Sequence, residues 1–242
     1  MKNKYSRSFY RLRFLGCSSF LLLLFAAGCG KDRVRGTQTR LLVVNASPNA
    51  GSLELLQNLR KIGTGSFPYL NIPEWRNPVL FEADSGFQNY QVLKGSTVVA
   101  SFLRINTGTQ NSLWMFDTVA DDRFRYIVLQ DRLDTPGRAK AKIRFLHLSP
   151  DADTVNLFFN AAVVDANWSY FSQELVNRTL LDEFFVVDTG AVQFRIRQKT
   201  SQQFVKAYQL HLQSNGVYTF VMKGYLNRSG SDSLSITRII HN

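Results

Sequence analysis

Cysteine is nearly absent from this chain: its 242 residues include only Cys17 and Cys29, and histidine occurs three times. Cys17 lies inside an apolar stretch from Phe14 to Phe25. No disulfide framework is possible, and neither thiol catalysis nor a cysteine-ligated metal has the residues it needs. Nucleophilic hydrolysis fares no better. There is no Gly-x-Ser-x-Gly elbow, His211 belongs to an alternating polar face, and His241 is the penultimate residue. Gly63-Thr64-Gly65-Ser66 lacks the lysine and the helix start of a phosphate-cradling loop. Carboxylate pairs such as Asp121-Asp122 and Asp182-Glu183 fall in polar stretches, where solvated charge explains them. Long helical patterns are missing too; the best candidate, Gln173 to Phe184, is short and reads equally as an irregular crossover. Together these absences argue against an enzyme.

The N-terminus is informative by what it contains. Lys2, Lys4, Arg7, Arg11 and Arg13 precede the apolar stretch with no acidic residue among them, and Ala26-Ala27-Gly28-Cys29 follows it. The stretch is shorter than the roughly 20 apolar residues of a membrane-spanning helix, so residues 1–28 read as an export signal peptide. The small residues before Cys29 resemble the bacterial lipobox. That resemblance implies acylation of Cys29, palmitate included, and cleavage just before it, with residues 29–39 forming the lipidated cysteine and a polar tether. Two or three acyl chains anchor firmly where one is marginal. The other reading is an ordinary secretory signal cut near Gly28, with Cys29 a plain thiol.

The formal charge of +11 overstates the basicity of the mature protein, because residues 1–28 remove five basic residues and leave 24 against 18 acidic ones. The remaining basic residues are scattered, as in Arg123/Arg125 and Arg195/Arg197, and read as solvated strand faces. Export makes nucleic acid an unsuitable partner.

A comparison of the chain with itself reveals a duplication. Leu42-Val43-Val44-Asn45-Ala46-Ser47-Pro48-Asn49-Ala50 returns as Arg144-Phe145-Leu146-His147-Leu148-Ser149-Pro150-Asp151-Ala152, 102 residues later. Phe81-Glu82-Ala83-Asp84-Ser85-Gly86 returns as Phe185-Val186-Val187-Asp188-Thr189-Gly190, 104 residues later. Each copy has the length of a small domain with its own core. A Pro136-Gly137 turn separates them, so the expected organisation is a first repeat over 40–135, a linker over 136–140 and a second repeat over 141–242. Within each copy the period is two. Val192, Phe194 and Ile196 alternate with Gln193, Arg195 and Arg197, as in half-buried antiparallel strands. Turn signals about every ten residues predict β-sandwiches.

With the repeats aligned, His147-Leu148-Ser149-Pro150-Asp151-Ala152, the strand Val155 to Phe159, Asp188-Thr189-Gly190 and Tyr218-Thr219-Phe220-Val221-Met222-Lys223-Gly224 form a pattern. It resembles the bacterial extracytoplasmic domain of unknown function 4397 (DUF 4397), often found in tandem on lipoproteins, including those of Bacteroidota. The resemblance covers nearly all of the mature chain. It is stronger in the second copy, since the first has Asn45 and Asn49 for the His and Asp and lacks the closing glycine. It implies an all-β protein of two tandem immunoglobulin-like antiparallel β-sandwich domains, and it carries no known reaction.

Two sets of residues stand out as candidate sites. His147, Asp151 and Asp153 place an imidazole and two carboxylates at a strand end, a set that would suit a transition metal, or calcium through the carboxylates. Ser149-Pro150-Asp151 is also ordinary turn chemistry, and the first copy keeps the turn while discarding those ligands, so turn formation is the role both copies share. Trp75 and Trp168 lie in polar, loop-like sequence, where an exposed indole would stack on a sugar or anchor a protein. The resulting expectation is an outer-membrane-anchored lipoprotein without cofactor or metal, acting as a binding or structural module toward an envelope protein or polysaccharide. The competing reading is an envelope-polymer hydrolase or metal-dependent enzyme using the His147 loop.

Overall fold

The computed structural model describes residues 37–63, 66–69, 74–76, 80–108, 110–118, 124–160, 162–168 and 183–242. The signal peptide, Cys29, the tether and most of the helical candidate 173–184 lie outside the described residues. The chain is all-β, and among the described residues no helix is long and apolar enough to cross a membrane.

The first half runs through β1 (Gln38–Asn45), β2 (Glu54–Gln57), β3 (Arg60–Lys61), β4 (Glu74–Arg76), β5 (Leu80–Asp84), β6 (Gly86–Lys94), β7 (Thr97–Ile105), β8 (Gln110–Phe116) and β9 (Arg125–Gln130). The second half follows with β10 (Lys140–His147), β11 (Val155–Phe159), β12 (Ala162–Trp168), β13 (Phe185–Asp188), β14 (Gly190–Gln198), β15 (Phe204–Leu212), β16 (Val217–Lys223) and β17 (Ser235–Ile240). In the first half, the sheets run β5-β1-β8-β9 and β3-β2-β6-β7. In the second they run β13-β10-β16-β17 and β12-β11-β14-β15, the same order position for position. Gly86 and Gly190, at φ of +85° and +104°, make the same left-handed turn that carries the chain from one sheet to the other in each half.

The sheets are not purely antiparallel. β1 pairs parallel with β8, and β10 with β16. A long excursion through the opposite sheet separates the members of each pair, and such a connection lets strands run the same way. A second departure from the sequence pattern is β4. This three-residue strand comes from the first half yet pairs parallel with β17 of the second, Trp75 opposite Ile239.

Each half has its own core. Leu41, Val43, Leu55, Tyr90, Val92, Leu113 and Met115 fill the first, and Ile143, Leu157, Phe194, Ile196, Phe220, Met222 and Ile236 the second. A third apolar cluster joins them: Leu42, Val44, Trp114, Phe116, Ile127 and Leu129 of the first half meet Leu146, Leu148, Val221 and Ile239 of the second. That cluster explains the unbroken run Leu41-Leu42-Val43-Val44. Odd members face one core and even members face the joint, so the strand is apolar on both sides. β8 and β16 are buried along their whole lengths for the same reason.

A polar chain threads this joint. Arg144 Nη2 lies 2.8 Å from Asp131 Oδ1, with both side chains fully buried. Asp131 Oδ1 accepts from Ser112 Oγ at 2.9 Å, and Ser112 Oγ accepts from Trp114 Nε1 at 2.9 Å. On the other side Arg144 Nε donates to Thr219 Oγ1 at 3.2 Å, Thr219 Oγ1 lies 2.8 Å from His241 Nε2, and the Phe184 ring sits 4.6 Å from the guanidinium. A buried pair of this kind contributes little net stability but is costly to break. Asp131→Ala should therefore strand the guanidinium and lower the unfolding free energy by about 3–5 kcal/mol. Adding Arg144→Met should recover most of that loss, because no charge is then left buried. Urea unfolding measures both; equal losses in the single and double variants would show that the two charges are not coupled.

Candidate functional site

The loops that follow β1 and β10 are built on one plan. Ala46 N donates to Met115 O at 2.6 Å, and Leu148 N donates to Met222 O at 2.8 Å, continuing each parallel pairing by one step. The preceding side chain then turns back over its loop. Asn45 Nδ2 donates to Gly51 O at 2.8 Å and to Phe67 O at 3.0 Å. His147 Nε2 lies 3.1 Å from Asp153 O, the carbonyl at the matching place six residues on. A carbonyl only accepts, so this contact assigns the proton to Nε2. His147 is 1% exposed, and burial holds its pKa down at about 4.

The two carboxylates face other partners. Asp151 Oδ1 accepts from Leu226 N at 2.7 Å, tying the loop to the β16–β17 connection. Asp153 is exposed; its Oδ1 accepts from Thr154 N at 2.7 Å and its Oδ2 from Thr200 Oγ1. The Thr200 hydroxyl, followed by the Thr154 amide, keeps this carboxyl below the ordinary range. His147 thus meets the backbone of Asp153 and not its carboxylate. Among the described residues no three His, Cys, Asp or Glu side chains gather as a metal would require.

The neighbouring strand ends are also matched. Asp117 directly follows β8 and Gly224 directly follows β16, both left-handed at φ of +65° and +80°. A side chain on Gly224 would run into the Ser233 carbonyl, so glycine is required there. In the first half, Asp117 tolerates the same turn, as aspartate does more readily than most residues. The conformation persists where the closing glycine is missing.

The tryptophans fall in strands and not in the loops their polar surroundings suggested. Trp75 is the middle residue of β4, and Trp168 ends β12 opposite Val155. Short edge strands owe their form to the partner strand, which a local pattern does not show.

Sequence reasoning passed over Lys223. It is 2% exposed, and its Nζ lies 4.6 Å from the centroid of the Tyr69 ring and 3.4 Å from the Tyr69 hydroxyl. Burial lowers its pKa to about 8, against the opposing pull of Asp232, and raises that of Tyr69. The available signal was its position: an amine within Val217–Lys223, a strand otherwise dominated by core residues. Its contacts join a loop of the first half to a strand of the second, which is a packing role.

No curated protein matches the chain. A solved structure of a Bacteroides ovatus protein, named for a suspected role in cell adhesion, aligns over 84% of this chain and 96% of its own length, at 8% identity and a TM-score of 0.22. Residues 39–158, from β1 through most of β11, match the model described as domain of unknown function (DUF4397), and over them the chain belongs to that family.

Proposed function

We propose that this protein is a lipid-anchored lipoprotein of the outer membrane that works by binding, through its outer sheets and loop ends, and not by catalysis. The observation that carries the reading is the state of the His147 loop. Its imidazole is spent on a backbone carbonyl. Its carboxylates are spent on Leu226 N, Thr154 N and Thr200 Oγ1. Asn45 closes the equivalent loop by the same kind of bond, so the scaffold accounts for the position without any chemistry. A histidine held neutral down to about pH 4 by burial is also poorly matched to general acid–base work near neutrality. Anchoring rests on the basic start, the apolar stretch and Cys29.

Cys29→Ser should shift the protein from the membrane pellet to the soluble exported fraction, since the acyl chains supply the anchoring energy. Retention in the pellet would overturn lipidation. A non-permeant protease applied to intact cells then separates the two faces of the membrane: degradation directs the search to external ligands, survival to periplasmic ones.

His147→Asn should preserve both the fold and binding to isolated envelopes, because Asn45 shows that an amide can close this turn. It should also reduce acid lability. Above pH 6.5 His147 is neutral whether folded or unfolded; between 6.5 and about 4 only the unfolded chain takes up the proton, so stability falls as pH falls. The variant should lose up to about 1.4 kcal/mol per pH unit of that slope, with His241, held near 4 in the same way, keeping its own share. Urea midpoints measured across this range test the point. Loss of envelope binding by a variant of unchanged stability would instead return the loop to the functional site.

A further inference from the structure

The outer face of the second half carries a feature its counterpart lacks. On β14 the core side chains Val192, Phe194 and Ile196 point inward, which leaves Gln193, Arg195 and Arg197 on the solvent side. Phe158 of β11 stands opposite Arg195, and Phe204 of β15 opposite Arg197. The Arg195 guanidinium lies 4.7 Å from the Phe204 ring centroid and 5.7 Å from that of Phe158. That of Arg197 lies 4.8 Å from Phe158 and 6.0 Å from Phe204. The two rings meet edge to face at 5.7 Å. Two cations are thus wedged among two phenyl rings on a rigid sheet, and little conformational freedom remains to be lost when they bind.

Among the described residues neither guanidinium has a carboxylate within ion-pair distance. The hydrogen bond they make there runs from Arg195 Nη2 to Asn160 O at 2.7 Å, and Nε of both is without a partner. No acidic side chain occurs among the described residues of β11, β14 and β15. Gln193 and Gln209 pair across the strands beside the arginines and add amide donors and acceptors. At matching register the first half places Leu56 opposite Gln91 and Leu93 opposite Val98. Among the described residues the outer face of the first half has one cation–π contact, Arg104 at 5.5 Å from Phe87 and at a different register, so the duplicated scaffold stands without the paired cluster.

We infer that the Phe158–Arg195–Arg197–Phe204 face is a binding site for an acidic polysaccharide, a reading that rests on the binding role proposed above. Fixed guanidiniums match the paired oxygens of carboxylate or sulfate groups. The flanking glutamine amides match sugar hydroxyls. A bilayer is the weaker fit, since Phe158 is buried and the half-exposed Phe204, the one ring left to enter lipid, lies against both guanidiniums.

The full chain in detergent, titrated with polygalacturonate, tests the site. Binding should be seen, should be absent with neutral dextran, and should weaken steeply as salt is raised. Arg195→Gln with Arg197→Gln should lower affinity at least tenfold at unchanged melting temperature, since each charge-assisted contact is worth about a factor of ten or more. Arg60→Gln with Lys61→Gln, on the exposed strand β3, removes as many charges from another place and should leave affinity unchanged. Equal weakening by both double variants would reduce the effect to net charge and overturn the site. So would absence of polymer binding, or capture of phosphatidylglycerol vesicles in preference to the polymer. Cross-linking of the wild type to an envelope component in cells reports on the broader reading: if it persists while polygalacturonate fails to bind, this face is wrong and the binding role stands.

Discussion

Arg144 is held between two sheets that would otherwise meet through side chains such as Leu42, Val44, Trp114, Leu146 and Val221. Its partner, Asp131, comes from the other half of the chain. An apolar joint alone is tolerant of sliding, whereas a buried charge pair must find its partner or bear the desolvation of both groups. The polar chain from Trp114 through Ser112, Asp131, Arg144 and Thr219 to His241 is thus a specificity device as much as a source of stability. The line-up of the repeats places Leu42 against Arg144 and Ser112 against Thr219. The two copies have thus diverged at the joint where they face each other.

Divergence elsewhere is of two kinds. Asn45 and His147, or Asp117 and Gly224, differ in chemistry and do one job: a side chain that closes a loop, a residue that accepts a left-handed turn. Such pairs show what the scaffold demands. The cluster of two arginines and two phenylalanines belongs to the second copy, the first having a single Arg104–Phe87 contact among the described residues, and the scaffold is intact without it. Duplication offers an internal control that a single domain lacks.

That control was already visible in the sequence for the loops, where comparison of Asn45 and Asn49 with His147 and Asp151 favoured turn formation. The all-β class, the repeat and the outer strands were equally legible, because alternation is informative wherever one face meets water. The central layer was not. Leu41-Leu42-Val43-Val44 has no alternation to read, and nothing local marks Arg144 as buried. The pairing of β4 with β17 escaped for a similar reason, since Glu74-Trp75-Arg76 becomes a strand through a partner more than 150 residues away. By their spacing along the chain, Arg195 and Arg197 read as scattered solvated charge. The rings that hold them stand on two neighbouring strands, and cross-strand neighbours are set by register and not by spacing along the chain.

The burial of the central layer also limits where recognition can occur. Each half taken alone would expose a broad apolar face, with Trp114 or Val221 at its middle and one member of the ion pair stripped of its partner. Only the two halves together cover the central apolar face and pair its buried charges. Both inner sheets are consumed by that requirement, which leaves the outer sheets and loop ends as the surfaces free to change. They have changed in different directions: the first half exposes Phe87 and Leu103 at 78% and 65%, while the second holds two half-buried guanidiniums between Phe158 and Phe204. Two like scaffolds bound back to back therefore present two unlike faces, and a protein that meets two kinds of partner at once can be built from one domain used twice.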